Sequence, residues 1–522
     1  MKKLLWIPAL LFLFLFLSFS ASAAESLPYT FTGNGANLAR LRDGNLQNSA
    51  SVETATLESD EEIDGLYFLF HTKAVDMTLS AGEEEVSVEG KFLHRYVRIS
   101  QLFSQPVKVV TVRFAQRATL NEICAFGAGE LPDWVQVWED PCEKADLMLF
   151  TTHADDEQLF FAGVLPLYAG EKKLAVQVAY FTDHTDQPNR RHELLNGLWT
   201  VGVTHYPVIG DVPDAYAQGD NTESAYQWAL RNARSAGFTE DALVASQTEL
   251  IRRFKPLVAV GHDLNGEYHH GQHILNVRTL LKAVEGAGSE DFCPDSAAAY
   301  GVWDVPKVYL HLYGENEILM DWDVPLESFG GKTAFQMTQA GFACHKSQQN
   351  TWFRKWIRGV NGDLSRAADI SYVPPVYSSY TRVAFSPCRY GLYRSLAGED
   401  EAKNDFMEHL ETWEEKAARE EAERLALEEK QKEEERLAQE EAERLAREEA
   451  ERLAQEEARK NAAEAALAKS ASEEAKQAKD RQTTTVVFLS ILGAAVAILI
   501  ILQLVVVRRR RPAVHRFAAY AQ

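Results

Sequence analysis

The sequence predicts an α/β protein: a Rossmann-like three-layer sandwich with a mostly parallel sheet, preceded by an all-β sandwich and followed by a long helix and one transmembrane helix. Three observations lead there. Between about 145 and 395, continuous apolar runs at 147–151, 174–182, 257–261 and 307–312 alternate with helical spacing at 190–202 and 273–284. Strands covered on both faces read as such unbroken runs, which is the signature of a parallel sheet. Before this stretch the pattern is short, strand-like and rich in turns, and between 402 and 482 neither Gly nor Pro occurs.

Taken in order, Lys2 and Lys3 precede the apolar run 4–17, and Ala21, Ser22 and Ala23 supply a small-residue cleavage pattern. Residues 1–23 therefore read as a signal peptide, with a mature chain beginning near Ala24. The all-β unit is assigned to 24–144, where 65–71, 86–88, 96–99 and 107–114 are rich in Val, Ile, Tyr and Phe. Within it, Leu41-Arg42-Asp43-Gly44-Asn45, with Ser49 after it, resembles the opening of a discoidin-like jelly roll, and Asn121-Glu122-Ile123 before Phe126-Gly127 resembles its closing strand. That resemblance implies a carbohydrate-binding or docking module, against the plainer reading of a structural β-sandwich.

The α/β domain is assigned to 145–398. Ligands of such sheets gather beyond the carboxyl ends of the strands. From 399 to 482, Glu, Ala, Arg, Lys and Leu dominate, and a long charged helix is expected from about Ala402. The unit E-R-L-A-x-E-E-A recurs three times between 435 and 458, placing Leu437, Leu445 and Leu453 eight residues apart. That spacing makes the apolar stripe drift by about 80° per repeat, so a sustained heptad seam is absent. Glu440 with Arg444 and Glu448 with Arg452 stand at i,i+4. A solvated single helix, roughly 120 Å long, is expected, with oligomerisation through a coiled coil as the alternative.

The run 486–507 is apolar except for Ser490, Gly493 and Gln503, long enough to cross a hydrocarbon core of about 30 Å. Arg508 to Arg511 follow it, so the tail 508–522 is expected in the cytoplasm and the rest of the mature chain outside. The expected location is a bacterial cell membrane, crossed once, with the head extracellular. The net charge of -22 offers no basic face for phosphate, which excludes nucleic acid as a partner. Export permits disulfides among the five cysteines, Cys124 and Cys142 being the pair closest in sequence, and the odd count leaves one thiol over. No C-x-x-C spacing exists, which argues against a cysteine-based zinc site.

Chemistry concentrates at the ends of two apolar runs. The run 147–151 leads into Thr152-His153-Ala154-Asp155-Asp156-Glu157, and 257–261 leads into His262-Asp263-Leu264-Asn265-Gly266-Glu267-Tyr268-His269-His270-Gly271-Gln272-His273. A catalytic zinc takes three nitrogen or oxygen protein ligands and keeps one position open. His153 and Asp156, three residues apart on a strand-to-helix turn, can supply two, and His273 a third. A lone histidine would be an ordinary core or surface group; carboxylates and imidazoles at the exits of two buried strands are harder to read that way.

At these residues the chain resembles the PIG-L/LmbE family of zinc-dependent de-N-acetylases, whose motifs run A-H-P-D-D-E and H-D-x-x-G-x-Y-G-H-x-x-H. The resemblance covers about 145–395. It extends to Arg190 and Glu193 in an R-x-x-E-L helix and to Lys332 with His345-Lys346-Ser347-Gln348. It implies an LmbE-like fold, zinc or another divalent metal held by His153, Asp156 and His273, and Asp155 as the general base acting on the attacking water. It further implies that Tyr268 and His270 stabilise the oxyanion and assist the leaving amine, with Arg190 as a substrate contact or a structural ion pair. Ala154 stands at the motif's Pro, and His269, Gly271 and Gln272 replace the usual Gly, Pro and Asp. His269 thereby becomes a competing metal nitrogen.

The expected function is de-N-acetylation of an N-acetylglucosamine-type glycan or glycoconjugate at the cell surface. The alternative is a glycan-binding or adhesive protein with a vestigial hydrolase domain, and a third reading is an amidase for another acylated amine.

Overall fold

The computed structural model describes residues 26–349, 357, 366–369 and 386–477. The expected signal peptide, the apolar run 486–507 and the basic tail lie outside these residues, and no described helix is long and apolar enough to cross a membrane. Two compact units are distinguished, Met1–Glu421 and Ala422–Gln522.

The first unit opens with seven antiparallel strands, β1 (Thr30–Gly33), β2 (Ala50–Glu58), β3 (Gly65–Phe70), β4 (Met77–Ala81), β5 (Glu84–Val88), β6 (His94–Arg98) and β7 (Val109–Phe126). All seven are joined in one hydrogen-bonded network. The cause is β7, which at 18 residues pairs with β2, β3 and β4 in turn. Alternation sends Leu66, Phe68 and Phe70 of β3 into the main core and Tyr67 and Leu69 into a second cluster with Tyr96, Phe126 and Val135. The loop after β1 is tied down by Asn121, whose Nδ2 donates to Leu46 O and Asn48 O at 2.8 and 2.9 Å.

Next come β8 (Leu147–Thr151), α1 (Asp156–Leu159), β9 (Val176–Asp183), α2 (Pro188–Thr200), β10 (Val208–Pro213), α3 (Thr222–Ser235), α4 (Glu240–Phe254) and β11 (Val258–Gly261). They are followed by α5 (Gly271–Gly286), α6 (Pro294–Tyr300), β12 (Lys307–His311), β13 (Glu317–Leu319), α7 (Ala334–Ala343) and β14 (Arg389–Ser395). The sheet order is β10-β9-β8-β11-β12-β14-β13. The first five strands are parallel; β14 and β13 run antiparallel to their neighbours, an edge the sequence reading did not foresee. Leu147 and Leu149 face a core shared with α2 and α7, while Met148 and Phe150 face one shared with α4 and α5, which makes the three layers. Strand order reverses between β8 and β11, so their carboxyl ends flank the crevice where open α/β sheets bind ligands.

Helix starts are locally encoded. Asn221 and Ser224 close a capping box on α3, and Thr333 with Gln336 closes another on α7. Asn189 of α2 donates to Gln47 Oε1 of the β unit at 2.7 Å. Beside it, His94 Nε2 and His192 Nδ1 lie 2.7 Å apart, both buried, and His192 Nε2 donates to His71 O at 3.0 Å.

All five cysteines are free thiols, so Cys124 and Cys142 are not joined. After β14 the chain does not become helical at Ala402. Glu408 accepts the N–H groups of Glu401, Ala402 and Lys403 at 2.6 to 3.1 Å, a closed loop that competes with helix, and α8 (Trp413–Gln477) begins beyond it. Along α8, Leu437, Leu445 and Leu453 are 51%, 52% and 52% exposed, as a drifting stripe dictates. Arg436 bridges Glu433 and Glu440, and Arg444 bridges Glu441 and Glu448, so each arginine pairs on both sides and its i,i+4 partner is the glutamate that follows it rather than the one that precedes it.

Candidate active site

The turn after β8 and the loop after β11 bring His153, Asp156 and His273 together. His153 Nδ1 lies 3.0 Å from Asp156 Oδ2 and 3.2 Å from His273 Nε2, and His273 Nε2 is 3.1 Å from Asp156 Oδ2. All three side chains are buried. Ligands about 2.0 to 2.2 Å from a tetrahedral zinc stand roughly 3.3 Å from one another, so the spacing suits one shared ion and leaves a position open.

The far nitrogens support the same reading. His153 Nε2 donates to Gln272 Oε1 at 3.0 Å, and His273 Nδ1 donates to Glu267 Oε2 at 2.9 Å, so the nitrogens facing Asp156 are the ones that offer lone pairs once they give up a proton. Burial pushes the Asp156 carboxyl up, but His273 and His153 pull it further down, well below its usual range. Against a lowering by burial, Asp156 and Glu267 raise His273 to about 10, so a metal ion competes with a proton for this nitrogen.

Asp155 sits at φ 121, ψ -21, a conformation that favours glycine, at the start of α1. Its N–H donates to Glu157 Oε2 at 2.9 Å, and Glu157 Oε1 in turn accepts from His345 Nε2 at 3.0 Å. Burial raises the Asp155 carboxyl above its usual range, while Arg190 acts to lower it. Arg190 Nη2 stands 3.4 Å from Asp155 Oδ1 and also donates to Ala154 O, and Nη1 pairs with Asp214 Oδ2 at 3.0 Å. It is thus engaged by three protein oxygens.

Tyr268 and His270 flank the cluster, their rings 5.6 and 4.8 Å from that of His273. Tyr268 and His269 both adopt positive φ, 48 and 57. Burial raises the Tyr268 phenol and, with His153 and His273 beside it, lowers His270, so both are neutral near pH 7.

The departures from the motif have local causes. Ala154 N–H donates to His184 Nε2 at 3.1 Å and Gly271 N–H to Ala217 O at 2.7 Å; proline at either place would lose the bond. A Cβ on Gly271 would also meet Ala225 O at 2.3 Å. Gln272, in place of the acid, holds His153 Nε2 while its amide donates to Pro213 O at 2.9 Å.

Several residues of the site were not singled out by the sequence. Glu267 accepts from His262 Nδ1 at 2.7 Å, His273 Nδ1 at 2.9 Å and His311 Nδ1 at 2.8 Å. Asp214, after β10, stands 3.5 Å from His153 Nε2. The signal for His311 was one imidazole at the end of an otherwise apolar run; for Asp214 there was none. Of the late element, His345 and Ser347 reach Glu157 and Glu193, whereas Lys332 is exposed.

A three-layer α/β fold with a buried cluster able to hold a metal at its switch point defines a class of metal-site α/β proteins. No family model matches the chain. Over 190 residues it is 27% identical to the 1D-myo-inositol 2-acetamido-2-deoxy-alpha-D-glucopyranoside deacetylase 1 of Catenulispora acidiphila, covering 32% of this chain and 56% of that one. Over 69 residues it is 42% identical to a deacetylase of the same description from Rhodococcus opacus, covering 13% and 22%. Among solved structures, the N,N'-diacetylchitobiose deacetylase of Pyrococcus horikoshii is similar with a TM-score of 0.30 and 15% identity, over 42% of this chain and 78% of that one. The chain spans little more than half the length of the Catenulispora relative. In its motifs and in these relatives, the α/β part of the chain is similar to the PIG-L/LmbE-like deacetylases.

Proposed function

We propose that the protein is a metal-dependent amide hydrolase that removes the acetyl group from an N-acetylglucosamine-type sugar or glycoconjugate. The observation that carries the reading is the mutual approach of His153 Nδ1, Asp156 Oδ2 and His273 Nε2 to within 3.2 Å, with Asp155 next in the chain. Zinc is the ion the donor set fits. When bound, such an ion supplies Lewis acidity, acidifying water and polarising an amide carbonyl.

The side chains do the rest. His153, Asp156 and His273 hold the ion, the two histidines aimed by Gln272 and Glu267. Asp155 takes the proton of the attacking water, and Arg190 fixes its carboxylate from one side. Tyr268 donates to the oxygen on which charge develops. Asp155 then hands the proton it took from water to the departing nitrogen as the carbon–nitrogen bond breaks, releasing acetate and the free amine, with neutral His270 lining the site beside it. The β unit is a docking module for the glycan: its loop meets α2 through Gln47 and Asn189, one residue from Arg190.

Location belongs to the same proposal. The apolar leader and the run 486–507 before four arginines support a head outside the cell on a membrane-anchored chain. The test is acetate release by the full chain from a panel of N-acetylated glycans, with chelator and zinc re-addition. Protein that holds zinc yet releases no acetate from any of them would exclude the reading.

A further inference from the structure

His262 repeats the arrangement of His273. Both imidazoles donate from Nδ1 to the same oxygen of Glu267, at 2.7 and 2.9 Å, and both direct Nε2 toward the same oxygen of Asp156, at 3.8 and 3.1 Å. Their rings stack at 4.3 Å with 18° between the planes. His262 is fully buried, and its Nε2 has no hydrogen-bond partner among the described residues. Donation from Nδ1 leaves the lone pair on Nε2. A bare lone pair and a carboxylate oxygen thus face each other in a buried space, an arrangement that costs free energy until a cation lies between them. Asp156, His262 and His273 together place one donor atom each within 4.8 Å of one another.

We propose that His262 is a fourth protein ligand of the ion, beside His153, Asp156 and His273, so that water of the proposed reaction would take a fifth position. The inference rests on the ion site argued above and adds to it the first histidine of the second motif, to which the resemblance gives no ligand role. Glu267 then serves as the common backing for two ligating imidazoles, which explains why one carboxylate is committed to both. The competing nitrogen foreseen at His269 is replaced by one from the end of β11.

Zinc-edge X-ray absorption of the zinc-loaded full chain counts the imidazoles directly, without any substitution. Three imidazoles in the wild type, falling to two in His262→Phe, is the expected result. Chelator competition should show at least a tenfold, order-of-magnitude loss of zinc affinity in His262→Phe and in His262→Asn, with circular dichroism of the ion-free variants reporting that both fold. Two imidazoles in the wild type, or unchanged affinity in folded variants, overturns the inference and leaves the ion site standing. A wild type that binds no zinc overturns the ion site and this inference with it.

Discussion

His311 donates from Nδ1 to Glu267 Oε1 at 2.8 Å, while the other oxygen of that carboxylate receives His262 and His273. Glu267 therefore links β12 to the site. It is fully buried, and His262 leads the groups that hold it well below its usual range against the effect of burial. Glu267→Gln presents an N–H where an imidazole N–H already points. We expect it to lower the unfolding free energy by about 3 to 5 kcal/mol in a denaturant titration, as removal of one partner of a buried pair does. A loss under about 1 kcal/mol would mean that the cluster does not depend on its charge.

Asp155→Asn keeps the shape of the turn and removes the proposed base. Zinc affinity by chelator competition should be unchanged, and turnover of an N-acetylated sugar should fall at least about a hundredfold. Equal loss of metal and turnover would make Asp155 a ligand instead.

Arg190 is committed to Asp155, Asp214 and Ala154 O, which favours the structural ion pair over the substrate contact. Arg190→Met should therefore lower kcat by roughly a hundredfold, the cost of a misplaced catalytic group, with KM little changed. A rise confined to KM would return Arg190 to the substrate.

The buried pair His94 and His192 sets a pH dependence at the junction of β6 and α2. Burial depresses His192 to about 4, and burial together with His192 holds His94 well below its usual value. Both are neutral when folded and take protons more readily when unfolded, so their contribution is complete above about pH 6.5 and lost as pH falls toward 4. For His192 this is on the order of 3 kcal/mol. Thermal melts at pH 7.5 and 4.5 should show a steeper fall for the wild type than for His192→Gln, and parallel curves would remove the pair as a source of acid sensitivity.

Much of the α/β layer was legible because buried parallel strands leave unbroken apolar runs: 147–151 matches β8 residue for residue. The antiparallel edge was not, since β14 follows a long stretch without such a signal. Motif spacing located His153, Asp156 and His273, whereas Glu267 stood in plain sight without a role. A carboxylate's hydrogen bonds to three histidines from separate positions are a tertiary fact, invisible to local pattern. The joining of the β unit into one network was hidden for a similar reason: only pairing shows that one long strand serves three partners.

The backbone at Asp155 is set against the charge that its side chain faces. At φ 121 a side chain is tolerated at a cost of order 1 to 3 kcal/mol, and glycine would remove that cost. Relief of that cost by glycine is opposed by the loss of the carboxylate beside the buried Arg190. An acidic side chain is thus held in a cramped bend by the charge that faces it, which fixes where its carboxylate points.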